Sequence, residues 1–201
     1  MYNLIEKHID DTIDAIPKDH FDEYRYLIQK GSNPSNPEYQ VRYSKFFRLN
    51  GAGLSTEFRA QYFHTLKEYS NAALPKLDEV IKRIQTKDTK LHASFASKLL
   101  HMLNQEEPIY DSMICNFYFY SRPSYKDENK KIDSILSFHS FLKDEYSRII
   151  KRGLLHDSIT QLNDKWQIQD LSDIKKIDTL LWAFVKLMKV HNSEKRVVQY
   201  L

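Results

Sequence analysis

The chain has 201 residues, 41% of them apolar and 28% charged, which fits one folded domain with a sizeable core and excludes a disordered or fibrous chain. Thirty basic residues against 27 acidic ones leave a net charge of +3, compatible with a nucleic-acid partner without requiring one. Cys115 is the single cysteine, so an intrachain disulfide and a thiolate zinc site are excluded. No apolar run is long enough for a secretory leader or a membrane span, and a cytoplasmic, nucleoid-associated protein with no membrane partner is expected.

Four glycines in the whole chain argue against a glycine-punctuated β-fold and against a glycine-rich phosphate loop. Leu4, Ile5, Ile9, Ile13 and Ile16 fall at helical spacing and stop at Pro17. A short helix is expected over 20–30, and "KGSNPSNPEYQ", 30–40, reads as a flexible loop. Ser55 or Thr56 caps a helix over 56–70 carrying Phe58, Tyr62, Leu66 and Tyr69. Leu74, Leu77, Val80, Ile81 and Ile84 mark the next, with Pro75 in its first turn. Leu91, Phe95, Leu99 and Met102 mark another, whereas "DSMICNFYFY" from Asp111 leans towards a strand by composition, with a buried helix as the alternative. Helical spacing resumes over 132–150 and again from Ile168 to Met188. The expectation is an all-α fold of about eight to ten helices in a single domain over 1–201, with two lobes around a central cleft. The many Tyr and Phe residues mostly fill the core.

Lys98 sits in an apolar helical pattern with small Ser94, Ala96 and Ser97 beside it. A lysine flanked by small residues can lie low in a cleft, where desolvation lowers its pKa and makes the amine a nucleophile of the Schiff-base type. Asp111 stands at an N-cap position after a loop containing Pro108. The loop is long enough to return beside the lysine, and Pro108 favours the extended backbone that such a return needs. The bland alternative is a solvated lysine near a helix cap.

The stretch "ASKLLHMLNQEEPIYDSMICNF" resembles the heart of the helix-hairpin-helix DNA glycosylases, above all their 8-oxoguanine branch. In that family a helix bearing the catalytic lysine leads through a proline-containing loop to an aspartate that opens the next helix. The resemblance implies that Lys98 attacks C1′ of a flipped, damaged or modified nucleotide in double-stranded DNA, and that Asp111 supports departure of the base, with no cofactor. The family's Leu-Pro-Gly-x-Gly hairpin has no counterpart, since "TKLHASFAS" lacks glycine, and Ile109 and Tyr110 stand where one residue usually separates Pro from Asp. "LSDIKKIDTLLWAFVK" and "LNGAGLSTEFRAQYFHTL" extend the likeness to uncharacterised bacterial proteins with the same Lys/Asp block.

Asp178 falls on the apolar side of its helix one turn before Trp182, where a carboxylate can accept a hydrogen bond from a base edge while the indole stacks. Tyr110 and His101 are the other expected neighbours of the base. Arg42, Lys45 and Arg48, interleaved with Tyr43, Phe46 and Phe47, are the expected contacts to DNA phosphates, together with His92. Arg148, Arg152 and His156 resemble the Arg/His pairs of small helical ribonucleases, but the spacing is short and Gly153 interrupts it. The histidines show no metal-ligand spacing. Lys130-Lys131 and Lys195-Arg196 read as solvated pairs. The expected function is a DNA N-glycosylase with lyase activity. The alternative is a non-catalytic helical module that binds nucleic acid or protein.

Overall fold

The computed structural model describes residues 1–51, 53–86 and 91–193, with side chains through Lys189; Lys195-Arg196 lie outside the described residues. Among the described residues there are eleven α-helices and no strand, so the chain is all-helical. The N-terminal pattern forms two short helices, α1 (Tyr2–Lys7) and α2 (Ile9–Asp14), because the backbone breaks at His8 with φ −119° and ψ 34°. Helix α3 (His20–Lys30) follows Pro17 and buries Phe21, Tyr24 and Leu27.

The expected loop at 30–40 is shorter than its composition suggests. Asn36 caps α4 (Pro37–Phe46), its Oδ1 accepting from the amides of Glu38 at 2.8 Å and Tyr39 at 3.2 Å. Pro37 then occupies the first helical position, where its missing N–H costs nothing. Ser55 caps α5 (Thr56–Tyr69) as expected. Helix α6 (Leu77–Arg83) starts after Pro75, so the proline precedes the helix, and Glu79 accepts from the Lys76 amide at 3.1 Å.

Helix α7 (Ala93–Leu103) carries Lys98, and Asp111 opens α8 (Ser112–Phe117). The strand leaning of 111–120 is thus corrected: Ile114, Cys115 and Phe117 are all buried, and a helix enclosed by the fold reads as an unbroken apolar run. Helix α9 (Glu128–Arg152) ends where Gly153 takes the left-handed conformation at φ 61°. A helix not expected from the sequence, α10 (His156–Trp166), buries only Ser158 and Leu162. The last is α11 (Asp173–Ser193).

Helix α11 packs on α8 and α2 and also meets α1, α9 and α10, while α6 and α7 pair and α3 lies on α4. The buried apolar side chains join in one cluster. Tyr24, Tyr39, Tyr43, Tyr62 and Tyr146 are among its largest members, so much of the aromatic content is structural. Tyr43 and Tyr62 join their hydroxyls at 2.8 Å and Tyr62 donates to the Phe95 carbonyl at 3.1 Å, whereas the buried Tyr39 hydroxyl has no hydrogen-bond partner among the described residues. No described helix is long and apolar enough to cross a membrane.

Candidate active site

The return of the chain from α7 to α8 is fixed by side chains of α7 itself. The Ser97 hydroxyl accepts from the Tyr110 amide at 2.9 Å and lies 3.1 Å from the Tyr110 carbonyl, to which it can donate. One residue after Ser97 is Lys98, and one residue after Tyr110 is Asp111, so this backbone clamp brings the pair to one place. A turn further along α7, His101 lies between the Glu107 carbonyl, 2.7 Å from Nδ1, and the Tyr24 hydroxyl, 2.7 Å from Nε2. A carbonyl only accepts, so Nδ1 carries the proton and Nε2 accepts from tyrosine. From α9, His139 donates to the Pro108 carbonyl at 3.0 Å, and Lys143 reaches the Glu107 carboxylate at 2.7 Å.

Burial, with Lys175 nearby, pushes His101 down to about 3 from the ordinary 6.5. The folded chain therefore holds His101 neutral at a pH where the unfolded chain protonates it. Its contribution to stability is complete above pH 6.5 and is lost as the pH falls towards about 3. Urea unfolding at about pH 7 and about pH 4.5 should show a larger acid loss for the native chain than for His101→Gln, which keeps one donor and one acceptor but does not titrate. Equal losses would mean that His101 is accessible to protons in the folded state.

Lys98 and Asp111 open on a cavity of about 750 Å³, in the size range of small-molecule sites. Burial lowers the Lys98 amine below the ordinary lysine value; Asp111 and Asp178 oppose this, while Arg48 and Arg122 add to it. The ammonium donates to Ser94 Oγ at 3.3 Å and lies 5.3 Å from the Phe95 ring, with no direct ion pair to a carboxylate among the described residues. Asp111 caps α8 through Oδ1, which accepts from Met113 N at 2.8 Å and Ile114 N at 3.0 Å. Its Oδ2 has no hydrogen-bond partner among the described residues, so the cap leaves one oxygen for chemistry.

Helix α11 supplies another wall with Lys175, Asp178, Thr179, Trp182, Lys186 and Lys189. Lys175 and Asp178 are only 3% and 5% exposed. The Lys175 ammonium lies 4.6 Å from the Tyr24 ring centre and 5.6 Å from that of Phe46, an arrangement in which ring faces replace part of its lost hydration. Burial holds this amine below the ordinary lysine range and the Asp178 carboxyl above the ordinary aspartate range, while each charge partly supports the other. Tyr146 donates to Asp178 Oδ1 at 3.3 Å. His20 stacks on Trp182 at 6.0 Å and 17° and also meets Phe46 at 4.9 Å, so three rings line the same space. Burial, with Lys175 and Lys186 close by, keeps His20 neutral.

The cavity thus gathers Lys98, Asp111, Asp178, Trp182, Arg42, Lys45 and Arg48 from the residues singled out in the sequence. Arg42 is engaged by Glu23 at 2.8 Å and covers the Tyr26 ring. Arg48 adopts φ 59°, a left-handed conformation that costs a side-chain-bearing residue about 1–2 kcal/mol. Three others do not line the cavity. His101 is buried beneath the hinge, Tyr110 is buried against Tyr120 and Phe138, and His92 packs on Phe58 with ring centres 4.3 Å apart. The sequence reading missed Lys175, His20 and Arg122. Lys175 was legible as the residue one turn before Asp178 and two before Trp182. Among the described residues no three His, Cys, Asp or Glu side chains converge as a metal-ligand set. The chain matches no protein-family model, no curated protein and no solved structure, so its own residues and their geometry must carry any functional conclusion.

Proposed function

We propose that the chain is a DNA N-glycosylase with lyase activity, working through the Lys98 amine. The observation that carries this reading is an amine whose pKa burial lowers, free of a carboxylate ion pair, beside the uncommitted oxygen of a helix-capping aspartate in a cationic, ring-lined cavity. An amine lowered in this way gives up its proton more readily than an ordinary lysine and is the better placed as a nucleophile. Arg48, Lys45 and Arg122 at the same cavity suit the phosphates of the nucleotide, and His20, Phe46 and Trp182 suit an extruded base.

In the reaction, Lys98 Nζ forms a bond to C1′ and the bond from C1′ to the base nitrogen breaks, its electron pair leaving with the base. The nitrogen sheds a proton to Asp111 Oδ2, which passes it to the departing base, and the carboxylate offsets positive charge on the sugar. As C1′–O4′ breaks, the remaining N–H proton passes to O4′, giving a neutral Schiff base between Lys98 and C1′. Water protonates its nitrogen and takes a C2′ proton, the C3′–O bond breaks with its electron pair leaving on the 3′ phosphate, and addition of water at C1′ releases the amine.

Borohydride reduction in the presence of duplexes carrying 8-oxoguanine, uracil or an abasic site tests this directly. A covalent adduct is expected with the native chain and none with Lys98→Ala. Duplex binding without an adduct on any substrate would replace the enzyme reading with a non-catalytic DNA-binding module.

A further inference from the structure

The cavity wall formed by α11 holds two buried ionisable groups, Lys175 and Asp178, that the covalent chemistry does not use. The Lys175 ammonium has ring faces around it and no hydrogen-bond acceptor among the described residues. Asp178 receives the Tyr146 hydroxyl on Oδ1, and Oδ2 has no partner among the described residues. The two residues are one turn apart on one helix face, both line the cavity, and they make no direct ion pair. A donor and an acceptor, nearly out of water and not satisfying each other, are costly unless a third group touches both.

We propose that Lys175 and Asp178 are specificity-determining residues that read the amide edge of a nucleobase, Lys175 donating to a ring carbonyl and Asp178 accepting from the adjacent ring N–H. The inference rests on the reading that a nucleobase enters this cavity. Trp182, one turn beyond Asp178, and His20, stacked on it, bound the same space with flat surfaces for the ring. Keto bases such as hypoxanthine, guanine and uracil present a carbonyl beside an N–H. Adenine and cytosine present an amino group beside a bare ring nitrogen, which sets donor against donor at Lys175 and acceptor against acceptor at Asp178. A site with fixed buried polar groups rejects the mismatched edge more strongly than an apolar pocket rejects a change of shape.

Hypoxanthine and adenine differ at this edge and almost nowhere else. The test uses two duplexes with one or the other placed opposite a tetrahydrofuran spacer, so that neither base has a partner to lose. The nucleotides carry 2′-fluoro sugars, which resist base release. Trp166→Phe leaves Trp182 as the sole tryptophan, and its fluorescence reports occupancy. The hypoxanthine duplex is expected to bind at least tenfold tighter than the adenine duplex. Lys175→Met and Asp178→Asn, each checked for folding by circular dichroism, are both expected to bring the ratio close to one; Asp178→Asn decides the matter if Lys175→Met does not fold.

Equal affinity in the native background, a ratio unmoved by the substitutions, or no quenching by either duplex would overturn the assignment. Borohydride adducts without a keto preference would reject this readout and leave the glycosylase reading standing. A keto preference without adducts on any substrate would do the reverse.

Discussion

Lys98→Arg is expected to lower strand cleavage and adduct formation by several orders of magnitude while duplex affinity stays within about twofold. The guanidinium keeps the positive charge and most of the length, so phosphate attraction at the cavity survives. It cannot shed a proton at any working pH, so the attacking lone pair is lost. Burial of Lys98 is what lowers its amine in the native chain, with Arg48 and Arg122 acting in the same direction. Activity of the native chain should therefore rise with pH as the amine deprotonates and level off below the pH at which an ordinary lysine does so. If the arginine variant retains cleavage, the amine is not the nucleophile and Lys98 serves as a cation alone. If affinity collapses together with activity, the effect comes from misplaced DNA.

The second large effect concerns the cost of holding Lys175 and Asp178 in the cavity wall. Replacing both, as Lys175→Met with Asp178→Asn, is expected to raise stability at neutral pH by about 1–4 kcal/mol, as seen when buried ionic groups give way to neutral ones of similar volume. Lys175→Met alone should instead lower it, by about 3 kcal/mol, because Asp178 then keeps its burial and loses its nearest opposing charge. The pH dependence follows from the two directions of shift. The Asp178 carboxyl lies above the ordinary range, so between the two values the folded chain holds a proton that the unfolded chain has released, and stability falls as pH rises. The Lys175 amine lies below its ordinary range, so there the folded chain has released a proton that the unfolded chain holds, and stability rises with pH. Together they contribute a dip around neutrality, which appears in the difference between the native chain and the double variant, where the buried histidines cancel. Chemical denaturation across this range measures the difference. A double variant less stable than the native chain would make the pair a structural element and would remove the cost that a function has to justify.

The sequence displayed the site unevenly, for physical reasons that individual residues illustrate. Asp111 was legible because a cap is a local matter: a short acid after a loop and before apolar residues accepts its own helix's amides wherever the helix lies. Lys98 was legible from the small residues around it. Helices α5, α7, α9 and α11 showed in their apolar period; α10 carries the same spacing in Ile159, Leu162 and Trp166, but three apolar positions on a short, otherwise polar helix were passed over. Arg122 lies in the loop after α8 and His20 at the first position of α3, and neither carries a local sign of facing Lys98 or Trp182. That proximity is made by packing of α11 against α8 and α2, which no short window of sequence encodes. His101 misled for the opposite reason. A histidine one turn from Lys98 suggests chemistry, yet its burial and two hydrogen bonds make it a brace.

The hydrogen bonds between Ser97 and the Tyr110 backbone close a small ring of chain around the hinge. Lys98 and Asp111 are referenced to that ring, whereas the rings of His20, Phe46 and Trp182 come from α3, α4 and α11. A shift of α3 or α4, which carry His20 and Phe46, would reshape the ring-lined wall while the Ser97 link keeps Lys98 and Asp111 in register; α11, packed on α8, is tied to the Asp111 side of the cavity instead.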